Sequence, residues 1–332
     1  MRPITFTRSI VMLLTLLVLL GVSRSGMLAQ SISENDVYAV AWSPDGSKIV
    51  GGGRNGFLTI WDSAGQLLLS LTGITTDVRA VAWSPDSSKV VSGGDDKLVR
   101  VWNANTGQLL ATLSGHEDVL QSVAWSPDGT KIASASFSDT FALRTWNAST
   151  YQALATARDS GLYSIQWSPN SSQLAVTSGF DSIVLYNSDL SNWNRIAYLP
   201  GTGLGSLAWS PDGSQLVTGD TNGNLIIWNS SSGQSIQTLT GHTQSVNGVS
   251  WNSHGQIASI SADGSVRVWD VDTGQEIRRY SRPAILDLGI AWNPEGTRLA
   301  FGSTDGNIRI ETVFRFGAEL RQRWGRHPTA SR

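Results

Sequence analysis

The string AVAWSPDG at 39–46 returns six more times at nearly constant spacing, and this repeat constrains the chain more than any other feature. The later copies are AVAWSPDS (80–87), SVAWSPDG (122–129), SIQWSPNS (164–171), SLAWSPDG (206–213), GVSWNSHG (248–255) and GIAWNPEG (289–296). Their tryptophans, Trp42, Trp83, Trp125, Trp167, Trp209, Trp251 and Trp292, stand 41 or 42 residues apart. A second aromatic series trails the first: Trp61, Trp102, Trp146, Tyr186, Trp228 and Trp269, with Glu311 in that place in the seventh copy. The two series absorb twelve of the fourteen tryptophans, so the high Trp content belongs to the repeat; Trp193 and Trp324 fall outside it. A fixed period of this length marks one supersecondary unit that buries its apolar face by stacking on its neighbours.

Within a copy the local signals are β throughout. In residues 80–113, AVAW runs into a Ser-Pro-Asp turn, KVVSGG follows, and Asp95-Asp96-Lys97 turns the chain again. LVRVW then alternates, Asn105-Thr106-Gly107 makes a third turn, and QLLATL closes the copy. Pro-Asp, Asp-Asp and Asn-Thr-Gly are turn formers, and the intervening residues favour strands. No segment after residue 30 carries a helical period. The expected fold is all-β: a seven-bladed β-propeller of four-stranded antiparallel blades over 37–324, closed so that only short strand edges remain.

These residues resemble the WD-repeat β-propeller family. The resemblance rests on the period, the SPDG turns, the Gly115-His116 and Gly241-His242 pairs, and the Trp61-Asp62 and Trp269-Asp270 endings. It implies a buried hydrogen-bonded set of His, Ser, Asp and Trp in each complete blade. Blade 6 has all four as His242, Ser259, Asp263 and Trp269. Blade 3 has His116, Ser134 and Trp146, with Asp139 set out of register by a two-residue insertion. Blade 2 keeps Ser92, Asp96 and Trp102 but has Ile74 in the histidine place; blades 4, 5 and 7 are more degenerate. These residues are expected to be structural, because a buried charge or indole N–H needs a partner.

The resemblance also implies a platform for other proteins, contacted on the face that carries the loops between blades and the loops between second and third strands. Its central rim position lies four residues before each first-series Trp, here Tyr38, Arg79, Gln121, Tyr163, Gly205, Asn247 and Leu288. Nearby loops add Arg54, Asp95, and the pair Phe137 and Phe141 that flanks the FSDTF insertion of blade 3. Tyr and Arg are favoured interface anchors. The candidate partner residues are therefore Tyr38, Arg54, Arg79, Asp95, Gln121, Phe137, Phe141, Tyr163 and Asn247. Trp193 is expected in a lengthened loop before the outer strand of blade 4, near the opposite face.

Composition removes several other classes. There is no cysteine, which excludes a disulfide scaffold, a thiol nucleophile and cysteine-ligated metal clusters, and there are four histidines. No catalytic, cofactor or metal constellation is legible. Gly51, Gly53 and Gly56 spell GxGxxG, but in a hairpin rather than between a strand and a helix, so no dinucleotide site is expected. Asp95-Asp96 and Glu117-Asp118 are paired acids in loops, read as solvated rather than as hydrolytic or cation-binding pairs. Residues 30–312 carry a net charge of −9, against nucleic-acid binding, while the last 20 residues carry +4.

Arg2 and Arg8 precede an apolar run, Ile10–Val22, which matches a secretory core in length and is short for a membrane span. Residues 1–29 are expected to be a signal peptide, with an uncleaved N-terminal membrane anchor as the alternative; either sends the body outside the cytoplasm. A linker is expected at 30–36 and a basic, solvated tail at 325–332. Residues 318–324 align with the outer strand of blade 6 and are expected to complete blade 7, with Leu320 inward, whereas the N-terminal candidate, 27–32, has a poor strand pattern. The expectation is an exported, non-enzymatic scaffold for protein or peptide partners. The alternative is an enzyme or carbohydrate-binding propeller with a site in the central channel.

Overall fold

The computed structural model describes residues 36–138, 141–159, 161–178, 182–198, 203, 205–281, 289–303 and 306–313. The chain divides into Met1–Ile32 and Ser33–Arg332, and every described residue lies in the second unit. That unit is a ring of seven antiparallel blades. Blade 1 runs outward from the axis as Val37–Trp42, Lys48–Gly53, Leu58–Asp62 and Leu67–Ser70, each strand paired with the one before it. Blades 2 to 6 repeat this order with four strands each. Blade 7 has Ile290–Trp292, Arg298–Gly302 and Ile308–Thr312 among the described residues. Its expected outer strand at 318–324, and the competing segment 27–32, lie outside them. No α-helix occurs among the described residues; one 3-10 turn covers Arg54–Gly56.

The SPDG turns are fixed by their own side chains. Ser43 Oγ donates to Asp45 (2.6 Å), Asp45 accepts from the Ser47 N–H (3.0 Å), and the Lys48 N–H donates to Ser43 Oγ (2.9 Å). The fourth position is left-handed, which Gly46 adopts at φ 69° without strain. Blades 2 and 4 place serine there, Ser87 and Ser171, at φ 59° and 60°. Each accepts a backbone N–H from the preceding blade, Asp45 to Ser87 at 3.1 Å and Asp128 to Ser171 at 2.9 Å. The strain of a left-handed serine is thus offset by a bond between blades.

The two tryptophan series do different work. Three inner-strand indoles reach across blade boundaries: Trp83 donates to Ala41 O (3.0 Å), Trp209 to Gln166 O (3.1 Å) and Trp292 to Ser250 O (3.2 Å). Third-strand indoles stay within a blade, Trp102 on Ser92, Trp146 on Ser134, Trp228 on Thr218 and Trp269 on Ser259, all at 2.9 Å. A buried Trp removes up to about 250 Å² from water, worth at most ~6 kcal/mol at ~25 cal/mol per Å².

Seven apolar clusters fill the seven blade boundaries. The closing boundary, between blades 7 and 1, has five buried members among the described residues: Val37, Val40, Trp42, Ile49 and Ala300. Every other boundary has at least nine. Among the described residues two backbone bonds also cross it, Gly289 N–H to Tyr38 O (2.7 Å) and Val37 N–H to Ser303 O (3.3 Å). Gly289 is required there, since a Cβ would lie 2.4 Å from Val40 N.

Candidate functional site

The inner strands of five blades carry the same irregularity near their start. In blade 1 Val37 pairs with Gly53 and Ala39 with Gly52, which leaves Tyr38 as an extra residue without a cross-strand partner. Arg79, Gln121, Tyr163 and Asn247 are extra residues in the same way. The residue before each, Val37, Val78, Leu120, Leu162 or Val246, is buried in its blade. A β-bulge re-aims its extra side chain. Here all five line one central channel of about 690 Å³. Gly205 lines it too, while Leu288 lies outside the described residues. The wall is uneven: Tyr38, Arg79, Gln121 and Tyr163 come from blades 1 to 4, whereas Gly205, Ser206, Asn247 and Gly289 come from blades 5 to 7.

The remaining candidates surround this rim. Arg79 is ion-paired with Asp95, and Arg54 lies 3.9 Å from Asp36. Burial raises the Tyr38 pKa above its usual value; Asp77 and Asp36 raise it further and Arg54 opposes them. Phe137 meets Tyr163 edge to face with ring centres 5.5 Å apart, and the two remain 41% and 42% exposed. Phe141 sits apart from this pair, under the Arg158 guanidinium at 5.1 Å.

Two of the histidines, His116 and His242, face inward. In blade 6 His242 bonds Ser259 through Nε2 (2.8 Å) and Asp263 through Nδ1 (2.9 Å). Asp263 also accepts from the Thr243 and Ser265 N–H groups (3.1 and 2.9 Å) and from Ser265 Oγ (2.7 Å). Burial pushes the Asp263 carboxyl up, but the bonds from Ser265, His242 and Thr243 together hold it well below the usual range. Burial also lowers the His242 pKa, against the pull of Asp263. In blade 3 His116 Nε2 meets Ser134 Oγ at 2.6 Å, and Asp139 lies outside the described residues. Blade 2 joins Trp102 to Ser92, while Asp96 pairs with Arg100 at 2.5 Å.

Two substitutes escaped sequence reasoning. Thr218 takes the serine role in blade 5, and in blade 4 the Tyr186 hydroxyl donates directly to Asp159 at 2.8 Å. The first was within reach, since Thr218 aligns with the serines; the second needed the loop path.

The adjacent acids Asp95 and Asp96 each hold a different arginine, so they do not act as one pair. In the GxGxxG string a Cβ at Gly51 would fall 2.8 Å from the Trp61 ring, so packing against that indole requires glycine there. The expectation for Trp193 is corrected: it opens the outer strand Trp193–Tyr198, opposite Tyr186, rather than lying in the preceding loop. Sequence reasoning also missed a second set of bulges on the outer strands. Leu68, Leu110, Leu154 and Ile236 are extra residues there and are 37–51% exposed.

Two family models match the sequence. The one described as WDR19 first beta-propeller covers residues 124–289. The one described as WD domain, G-beta repeat covers 27–62, 65–103 and 281–310. No individual curated protein matches.

Proposed function

Because the chain belongs to the WD-repeat β-propeller family, we propose that it is a non-enzymatic scaffold that binds a protein or peptide at the mouth of its central channel. The observation that carries this reading is the set of five bulges that turn Tyr38, Arg79, Gln121, Tyr163 and Asn247 into one space of about 690 Å³. Five side chains of four kinds on a rigid ring form a recognition surface, with Tyr and Arg as its anchors. His242 and His116 are engaged inside blades, with Ser259 and Asp263 and with Ser134. We place the scaffold outside the cytoplasm, on the strength of the charged start and apolar run of residues 1–29.

The test is selection of displayed peptides on the full chain, followed by affinity measurements on rim variants. Arg79→Ala and Tyr163→Ala should each weaken the selected peptides about ten-fold with an unchanged thermal midpoint. Peptides indifferent to every rim substitution would refute the reading.

A further inference from the structure

Resting on that reading, we propose that the partner segment is basic, with a Lys or Arg side chain seated against the Phe137–Tyr163 ring pair beside Asp118. The two rings are among the few large apolar side chains left exposed, and Tyr163 reaches the channel itself. Their edge-to-face contact holds both in place. The Phe137 N–H donates to Val119 O (3.1 Å), which ties the backbone of Phe137 to the residue next to Asp118. Asp118 accepts the Val119 N–H at 2.7 Å, and no Lys or Arg of the described residues lies within ion-pair distance of it. An aromatic face next to a carboxylate attracts a cation through both the ring quadrupole and the charge.

The charge balance around the mouth points the same way. Arg54 faces Asp36, Arg79 is held by Asp95, and Lys97 donates to the Glu117 carbonyl (2.9 Å). An acidic segment would have to break the two arginine pairs to reach either guanidinium, and the only mouth cation outside an ion pair among these three is Lys97. Asp77 accepts the Asn55 N–H (3.0 Å) and, like Asp118, is in no ion pair among the described residues. The opposite wall offers Gly205, Ser206 and Gly289, small residues against which an extended backbone can lie.

Three short peptides of one Gly-Ser background, with Arg, Glu or Gln at the same positions, test this on the full chain by fluorescence anisotropy. The Arg peptide should bind about ten-fold more tightly than the Gln peptide, and the Glu peptide most weakly. Phe137→Ala, Tyr163→Ala and the isosteric Asp118→Asn should each weaken the Arg peptide about five-fold. Asp272→Asn, at an exposed turn of blade 6, should leave it unchanged. The inference is overturned if Arg-peptide affinity survives both ring substitutions, or falls equally with Asp272→Asn, which would mean general attraction to an acidic body. It is also overturned if the Arg peptide shows no preference or none of the three binds. A Gln or Glu peptide held through Tyr163 removes this inference and leaves the scaffold reading intact. That reading fails separately, when displayed peptides ignore the rim.

Discussion

Replacing His116 with Gln should remove an acid sensitivity that the parent protein carries below neutral pH. Burial, followed by the charge of Arg144, lowers the His116 pKa from 6.5 to about 3. The unfolded chain therefore takes up a proton near pH 6.5 that the folded chain refuses until far lower pH. Stability from this group is complete above the unfolded value and is lost as pH falls toward the folded one. With these two values, the linkage relation gives a loss of about 2 kcal/mol at pH 5 relative to pH 8. In a ring of this size that corresponds to roughly 4–8 °C in the thermal midpoint. The assay is denaturant unfolding of parent and His116→Gln at both pH values, followed by tryptophan fluorescence. Other groups, His242 included, titrate alike in both proteins and cancel in the difference. Parent should exceed variant in stability at pH 8, because Ser134 loses its imidazole partner, and that gap should shrink by about 2 kcal/mol at pH 5. A gap that stays constant would refute the reasoning. A gap that widens would mean that the folded state keeps the proton on His116.

Asp263→Ala should cost roughly 1–3 kcal/mol, because it strands the His242 and Thr243 donors; calorimetry should show this with peptide affinity of the folded protein unchanged, and full stability with lost binding would contradict a structural role. Gly289→Ala should force blade 7 away from Val40 and cost about 1–3 kcal/mol, seen as faster proteolysis near residues 36–40; unchanged protection would refute it. Deleting residues 1–29 should leave the thermal midpoint unchanged, and an aggregated product would place those residues in the fold. Ending the chain after Val313 should lower the midpoint if 318–324 is the outer strand of blade 7; a harmless truncation would exclude that assignment.

The ring itself was legible because its causes are local. SPDG and its variants set each turn within a few residues, alternating apolar residues set the strands, and a constant period set the number of blades. The rim was legible as positions, four residues before each Trp, and the interior His and Ser of blades 3 and 6 were legible as types. What those positions do was decided in three dimensions. Tyr38, Arg79, Gln121, Tyr163 and Asn247 line the channel because a bulge makes each the extra residue of its inner strand. A bulge is a property of two strands in register, so neither strand's sequence announces it. The pairing of Arg79 with Asp95, of Phe137 with Tyr163 and of Tyr186 with Asp159 likewise joins loops or strands 16 to 27 residues apart. Local sequence chemistry determined the unit and its repetition. The side chains that share the mouth of the channel were fixed by tertiary structure, because their contacts form through space between segments distant along the chain.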